Sequence, residues 1–223
     1  MQPISLYIIG AQCTGKTTLV RVLQEAISKQ HPSLHLKTIS EVARHVLQKH
    51  QFTRDDIAYN PPRALELQQL ILAAQYAEEN SPSPTDVVLS DRSGVDPIVY
   101  AINYGPPQSR DLLEDSSEWH YLRDRMRKAL VILCPPQQEW LKDDGTRLMS
   151  STMAEWEHTH STFIQVLEEN EIPFQAIPRE LTGLGERVEF VLRTCTGLWE
   201  ENSLQTLGVF KTGIVKELHV HAL

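Results

Sequence analysis

The stretch ISLYIIGAQCTGKTT, residues 4–18, joins a short apolar run to a glycine-rich loop. Residues 4–9 predict a buried strand, because the run is short, rich in β-branched residues and closed by Gly10. The segment GAQCTGKT matches the pattern G-x-x-x-x-G-K-[ST], in which backbone N–H groups converge on a phosphate. A helical pattern follows from Thr17 to Lys29. The sequence therefore has the strand–loop–helix context that this phosphate-binding loop requires.

The loop supplies a candidate nucleotide site. The helix after it adds the positive end of its dipole to the N–H groups of the loop. Lys16 offers a positive charge to the β- and γ-phosphates, and Thr17 offers its hydroxyl to Mg²⁺. The nucleotide-binding residues that the motif predicts are Gly10, Ala11, Gln12, Cys13, Thr14, Gly15, Lys16, Thr17 and Thr18.

Four further apolar runs predict strands along the rest of the chain: LHLKTI (34–39), DVVLSD (86–91), LVILC (130–134) and PFQAI (173–177). Helical patterns separate them. This alternation predicts an α/β fold with a five-stranded parallel sheet and helices on both faces. We expect one domain over residues 1–197, with a lid around 137–152, and a C-terminal extension over 198–223.

Several local signals carry their own predictions. Thr53 and Asp56 have the spacing of a capping box, and Pro61 and Pro62 predict a break before the next helix. Asp96 followed by Pro97 predicts a helix N-cap with proline at the first helical position. Residues 105–117 are predicted to be a surface insertion. Arg123, Arg125 and Arg127 predict a basic helix face that is more often solvated than anion-binding.

A strand-end acid and its neighbour are candidate catalytic residues. Asp91 closes the strand DVVLSD, where a carboxylate can reach the Mg²⁺ of a neighbouring phosphate-binding loop, directly or through water. It could instead accept a proton from an acceptor hydroxyl, or only cap the next helix. If Asp91 acts on the nucleotide, Arg92 points at phosphate or substrate.

Two other segments contain candidate residues. Glu41 and Arg44 follow the second strand at i, i+3, at the sheet edge where ligands bind. A carboxylate there could bind a sugar hydroxyl or act as a base, and a solvated ion pair on the helix explains the two residues equally well. DDGTR (143–147) lies in a polar loop where a lid of a phosphotransferase would sit, with Arg147 over the transferred phosphate. An ordinary Asp-Gly turn explains that segment better on local sequence alone.

Composition narrows the function classes. The chain of 223 residues has a net charge of −8 and no basic cluster, so a nucleic-acid partner is not expected. Its three cysteines form no metal-binding spacing and fit a reducing compartment. No apolar run approaches a membrane span and no signal peptide is evident, so we expect a cytoplasmic protein without a transmembrane segment.

Four segments together resemble one family: GAQCTGKTT, SEVARHVL, SDRSGVDPIVY and EWLKDDGTR. They are similar to the NadR-type P-loop ATPase/kinase family, which includes a nicotinamide-riboside kinase domain and lies near the thymidylate and deoxynucleoside kinases. The resemblance covers residues 4–195. It implies a nucleoside-kinase-like fold that binds Mg-ATP. Because no adenylyltransferase segment precedes the loop in this sequence, a bifunctional enzyme is not expected.

The resemblance also implies residue roles. Lys16 and Thr17 would hold phosphate and metal, and Asp91 with Arg92 would form the catalytic centre. Glu41, Arg44 and Asp96 would line the acceptor side, with Glu41 as a second candidate base, and Arg147 would be the lid arginine. We therefore expect a kinase that phosphorylates a hydroxyl of a small, nucleoside-like molecule. A regulatory ATP- or GTP-binding module with a protein or lipid partner is the alternative, and a 5′-hydroxyl polynucleotide kinase is disfavoured by the acidic charge.

Overall fold

Five parallel strands form one sheet at the centre of the protein. The computed structural model describes residues 4–40, 42–81, 87–137, 140 and 152–206, with side chains described to residue 196. The sheet has the order β2-β3-β1-β4-β5. Its strands are β1 (Leu6–Ile9), β2 (Leu36–Ile39), β3 (Val87–Asp91), β4 (Leu130–Leu133) and β5 (Gln175–Ala176). The α/β fold and its parallel sheet are thus confirmed.

Helices connect successive strands and cover both faces of the sheet. The connections contain α1 (Lys16–Gln30), α2 (Val42–Lys49), α3 (Arg54–Tyr59), α4 (Pro61–Asn80), α5 (Val95–Tyr104), α6 (Ser109–Glu114), α7 (Ser117–Met126) and α8 (Met153–Glu169). A last helix, α9 (Leu184–Thr206), follows β5. The predicted capping box is present, since Thr53 and Asp56 each accept a backbone N–H of the other. Helix α9 continues across residue 198, where the predicted extension begins. The division into a domain and an extension stays a prediction.

The core has two layers because β1, β3 and β4 are buried along their whole length. On one face, Tyr7 and Ile9 pack with side chains of α5, α7 and α8 such as Trp119 and Phe163. On the other face, Ile8 packs with α1 and α9. Continuous apolar runs, rather than alternating ones, are what a parallel sheet covered on both sides requires.

The chain breaks at Asn60, between α3 and α4, as predicted, but the two prolines begin α4 and do not precede it. They occupy the first two positions of α4, and the Asn60 side chain accepts the backbone N–H of Arg63 at 3.3 Å. A proline in the first helical turn costs nothing, because its missing N–H would have no partner inside the helix.

The capping prediction for Asp96 was wrong. Helix α5 begins at Val95 with Gly94 at the N-cap, and Asp96 lies within its first turn. The Asp96 carboxylate reaches backwards and accepts the backbone N–H of Ser93 at 2.9 Å. It therefore orders the turn between β3 and α5 instead of preceding the helix as its cap.

The segment 105–117 is part of the fold and not a surface insertion. It contains α6, and Ser109 and Leu113 are both buried. Leu113 joins the core layer that contains Trp119. Sequence polarity misled the prediction, because charged residues on the outer side of a short helix outnumber the buried ones.

The sheet order places a ligand crevice between β1 and β3. From β1 the chain passes to β2 and β3 on one side of β1, and it then passes to β4 and β5 on the other side. Ligands of such sheets bind outside the carboxyl ends of the strands at which the direction of the connections reverses. Most of the predicted lid (137–152) and residues 207–223 of the predicted extension lie outside the described residues. Among the helices described, none combines the length and apolar content that crossing a bilayer would need.

Candidate active site

The phosphate-binding loop connects β1 directly to α1 and depends on its two glycines. Gly10 and Gly15 have φ angles of +135° and +78°, which residues with a side chain rarely adopt. A Cβ at Gly10 would lie 2.5 Å from the backbone oxygen of Cys134, so the loop can pass β4 only with glycine there. Cys13 also has a positive φ, of 58°. The tight curl directs the loop toward the N-terminus of α1.

Lys16 is buried and closes the loop on itself. Its Nζ donates to the backbone oxygen of Ala11 at 2.5 Å and to Thr14 Oγ1 at 3.2 Å. Burial and the nearby Arg92 charge lower the pKa of Lys16 to about 8, against the opposing effect of Asp96 and Asp91. An ammonium with so lowered a pKa gains from any anion that enters the loop.

Thr17 and Asp91 form a pair of oxygen donors at the start of α1. Thr17 Oγ1 donates to Asp91 Oδ2 at 2.5 Å. Asp91 is 4% exposed, and its Oδ1 has no hydrogen-bond partner among the described residues. A hydroxyl and a carboxylate with one oxygen that lacks a partner, both beside a phosphate loop, are the hard oxygen donors that Mg²⁺ prefers. The residues present therefore fit this ion.

Arg92 and Asp96 form an ion pair next to that carboxylate. Arg92 has a φ of +82°, which costs a non-glycine residue about 1–3 kcal/mol. Its Nη1 donates to Asp96 Oδ1 at 3.2 Å. Burial raises the pKa of Asp96, although the positive charges of Arg92 and Lys16 oppose the increase. The strained turn holds a guanidinium close to Lys16 and Asp91.

One continuous cavity of about 470 Å³ joins the loop to the space between α2, α3, α4 and α5. Lys16, Asp91 and Arg92 line it on the phosphate side. Of the acceptor residues predicted from the sequence, Arg44 and Asp96 also line it, whereas Glu41 and Arg147 lie outside the described residues. The apolar wall away from the loop includes Val42, Leu47, Phe52, Ile57, Leu67 and Ile71. The volume of the cavity is typical of a pocket for a small organic molecule.

Two buried glutamines of α4 line the cavity, and sequence reasoning missed both. Gln68 and Gln75 are 4% and 1% exposed. Gln75 Nε2 donates to Glu79 Oε1 at 2.8 Å and to Ser90 Oγ at 3.2 Å, so it links α4 to the residue before Asp91. The signal was present in the sequence: the two glutamines are seven positions apart and share a face with the apolar residues of the helix.

Distant side chains hold the phosphate loop in place. Trp156 Nε1 donates to the backbone oxygen of Gln12 at 2.8 Å, and the Tyr100 hydroxyl donates to Gln12 Oε1 at 2.5 Å. Arg187, only 1% exposed, donates to the backbone oxygen of Thr14 at 3.0 Å. These contacts link residues up to 173 positions apart, so no local pattern could predict them.

Comparison with known proteins agrees with this architecture. The model of a protein family described as an AAA domain matches residues 5–187. A sequence search among curated proteins finds no significant match. Among solved structures, the NadR protein in complex with NR superposes with a TM-score of 0.65 at 22% identity, covering 96% of this chain and 54% of that chain.

Two further structures share the fold. The NadR protein in complex with NAD and AMP-PNP has a TM-score of 0.63 at 18% identity, covering 96% of this chain and 52% of that chain. Thymidylate kinase from Ehrlichia chaffeensis has a TM-score of 0.58 at 15% identity, covering 88% of this chain and 99% of that chain. The chain thus spans about half the length of the NadR chains. Since the family match extends over most of the sequence, the chain belongs to this AAA-domain family and has the fold of NadR-type P-loop kinases.

Proposed function

We propose that the protein transfers the γ-phosphoryl group of ATP to a hydroxyl of a small, nucleoside-like molecule. The observation that carries the proposal is the continuity of the phosphate loop with a cavity large enough for a second organic molecule. Lys16, Asp91 and Arg92 line this cavity. The kinase fold of the structural neighbours supports the same reaction class.

On the donor side, the loop N–H groups and the N-terminus of α1 would bind the phosphates of ATP. Lys16 would exchange its bonds to Ala11 and Thr14 for phosphate oxygens. Thr17 and Asp91 would hold Mg²⁺, which neutralises charge between the β- and γ-phosphates when bound. One of the two NadR structures is a complex with AMP-PNP, an analogue of ATP, and this supports ATP as the donor.

On the acceptor side, Asp91 or Glu41 would accept the proton of the attacking hydroxyl. Arg44 and Asp96 would contact the acceptor, and Arg92 with Arg147 would stabilise charge on the transferred group. Because the transition state of phosphoryl transfer is loose, correct positioning and fixed charges supply most of the rate enhancement. We also infer a cytoplasmic location, which is supported by the absence of a disulfide at Cys13, Cys134 and Cys195 in the described structure.

The test is ADP release from Mg-ATP across a panel of nucleosides and small alcohols, with Lys16→Ala as the blank. We expect at least one acceptor to stimulate release, and the variant to reduce that rate by roughly 100-fold or more while it stays folded. ATP binding without stimulation by any acceptor would contradict the proposal and favour a regulatory nucleotide-binding module.

A further inference from the structure

Tyr100 connects the phosphate loop to the arginine that follows β3. Its hydroxyl donates to Oε1 of Gln12 at 2.5 Å, across 88 positions of the chain. Tyr100 and Asp96 lie one turn apart on α5, and both line the cavity beside the loop. The side chain of Tyr100 therefore reaches from α5 to the loop on the face of the helix that also contacts Arg92.

The contact with Gln12 fixes the polarity of the Tyr100 hydroxyl. A phenol has one hydrogen to donate, and Gln12 Oε1 receives it, so the oxygen can only accept from its other neighbours. Burial raises the pKa of Tyr100, although hydrogen bonds from Arg92 and from the backbone of Gln12 oppose the increase. The phenol thus keeps its hydrogen at neutral pH and presents its lone pairs to a guanidinium, which can only donate.

Arg92 needs such contacts, because its backbone conformation is unfavourable. A φ of +82° is held only where side-chain contacts compensate for the strain. Asp96 provides one contact, with Oδ1 3.2 Å from Arg92 Nη1, and it fixes the guanidinium relative to α5. Tyr100 provides a second contact, which fixes the guanidinium relative to the phosphate loop.

The guanidinium of Arg92 is a neighbour of the Lys16 ammonium. Both side chains line the cavity at its phosphate end, and burial together with the Arg92 charge lowers the pKa of Lys16. Two cations this close repel each other, and an anion bound beside both removes the repulsion. The lysine of such a loop reaches the β- and γ-phosphates, so the γ-phosphate is the anion that suits this position.

We propose that Tyr100 is a positioning residue that holds Arg92 toward the γ-phosphate of the bound nucleotide, with Gln12 orienting its hydroxyl. The anchor at Gln12 is firm, because Trp156 Nε1 also donates to the backbone oxygen of Gln12 at 2.8 Å. The proposal rests on the proposed function for the nucleotide and adds how the loop and Arg92 are kept in register. Tyr100 acts through Arg92 and needs no contact of its own with the phosphate.

The experiment measures the binding of AMP-PNP and of ADP, each with Mg²⁺, by calorimetry. The two nucleotides differ by the γ-phosphate, so the ratio of their dissociation constants isolates its contribution. Tyr100→Phe removes only the hydroxyl. The matched control, Tyr104→Phe, removes a hydroxyl one turn further along α5 and keeps the ring that stacks on Tyr100. Arg92→Gly removes the guanidinium, and glycine tolerates the positive φ at this position.

We expect Tyr100→Phe to weaken AMP-PNP binding about tenfold and ADP binding by less than about twofold. Tyr104→Phe should leave both affinities unchanged. Arg92→Gly should weaken AMP-PNP binding at least as much as Tyr100→Phe does. Adding Tyr100→Phe to Arg92→Gly should have no further effect, since a residue that acts through Arg92 loses its effect without it.

Thermal unfolding of each variant establishes that the fold remains intact. Three results would overturn the proposal: unchanged AMP-PNP binding in Tyr100→Phe, an equal loss of ADP and AMP-PNP binding, or a full additional loss in the double variant. The absence of AMP-PNP binding by wild type would overturn it as well.

ADP release from Mg-ATP across the acceptor panel separates this inference from the proposed function. The expected binding pattern without any acceptor-stimulated release would support the role of Tyr100 and refute the kinase. Acceptor-stimulated release, with Tyr100→Phe and Tyr104→Phe alike in both assays, would support the kinase and refute the role of Tyr100.

Discussion

The hydroxyl of Thr17 donates to the carboxylate of Asp91 across 2.5 Å, although the two residues are 74 positions apart. Parallel pairing of β1 with β3 produces this contact, because it places Ile8 beside Asp91 in the sheet register. The phosphate loop and the strand-end acid are thus brought together by the sheet itself. Any chemistry that needs both groups depends on this one junction.

Removing either member of the junction should impair Mg²⁺-dependent turnover. We expect Asp91→Asn to reduce acceptor-dependent ADP release by roughly 100-fold or more, since the amide cannot replace a charged ligand. Thr17→Ala should raise the Mg²⁺ concentration needed for half-maximal rate, and Thr17→Ser, which keeps the hydroxyl, should stay near wild type. Rates measured across a Mg²⁺ titration check this. Equal behaviour of the alanine and serine variants would contradict the assigned role of the hydroxyl.

ATP affinity should fall at alkaline pH because of Lys16. In the free protein burial lowers its pKa to about 8, and bound phosphate favours the charged form and raises it. Affinity should therefore be nearly constant below pH 8 and decrease above it by up to about tenfold per pH unit. Calorimetric titrations between about pH 7 and 9.5 measure this, with proton uptake on binding above pH 8. In Lys16→Met the decrease should vanish, and its persistence there would assign the titration to another group.

Arg125 should contribute to stability rather than to anion binding. Its Nε lies 3.3 Å from Oε2 of Glu79, whose side chain is 0% exposed, and Tyr7 also donates to that carboxylate at 2.5 Å. Arg125→Met leaves a buried carboxylate without its cation. We expect a loss of about 2–3 kcal/mol in the free energy of unfolding, below the range for fully buried pairs, because Arg125 keeps some contact with water.

The matched control is Arg123→Met, two positions earlier on the same helix. Arg123 pairs with Asp124, which is 59% exposed, so the expected loss is about 0.5 kcal/mol or less. Adding Glu79→Gln to Arg125→Met should recover part of the stability, since it removes the uncompensated charge. Urea denaturation of wild type and these variants measures the differences. Similar losses for Arg123→Met and Arg125→Met would contradict a special role for the buried pair.

The fold could be predicted from the sequence because its signals are local and consistent. The β1 run, the glycine-rich loop and the α1 pattern are contiguous, and parallel topology then places the end of β3 next to them. The sequence therefore predicts that Thr17 and Asp91 both reach the same Mg²⁺. Arg44 was a candidate from its position after the second strand, and the family resemblance added Asp96; both line the same cavity.

The remaining parts of the site depend on contacts between segments that are distant in sequence. Gln68 and Gln75 share a face with the apolar residues of α4, but only packing shows that both side chains are buried. The anchors Trp156 and Arg187 reach the loop from positions more than 140 residues away. The Asp-Pro pattern wrongly predicted Asp96 as the N-cap of α5, because this local pattern carries no information on the turn that precedes it.

The most direct test of the central claim follows the γ-phosphoryl group itself. Excess wild-type protein is mixed with Mg-ATP labelled in the γ-phosphate, with uridine or nicotinamide riboside present, and the labelled products are separated. If the protein is a kinase for nucleoside-like molecules, the label passes to the acceptor hydroxyl with at least one of them. Label that stays in ATP, or that passes only to water as inorganic phosphate with both acceptors, would contradict the claim.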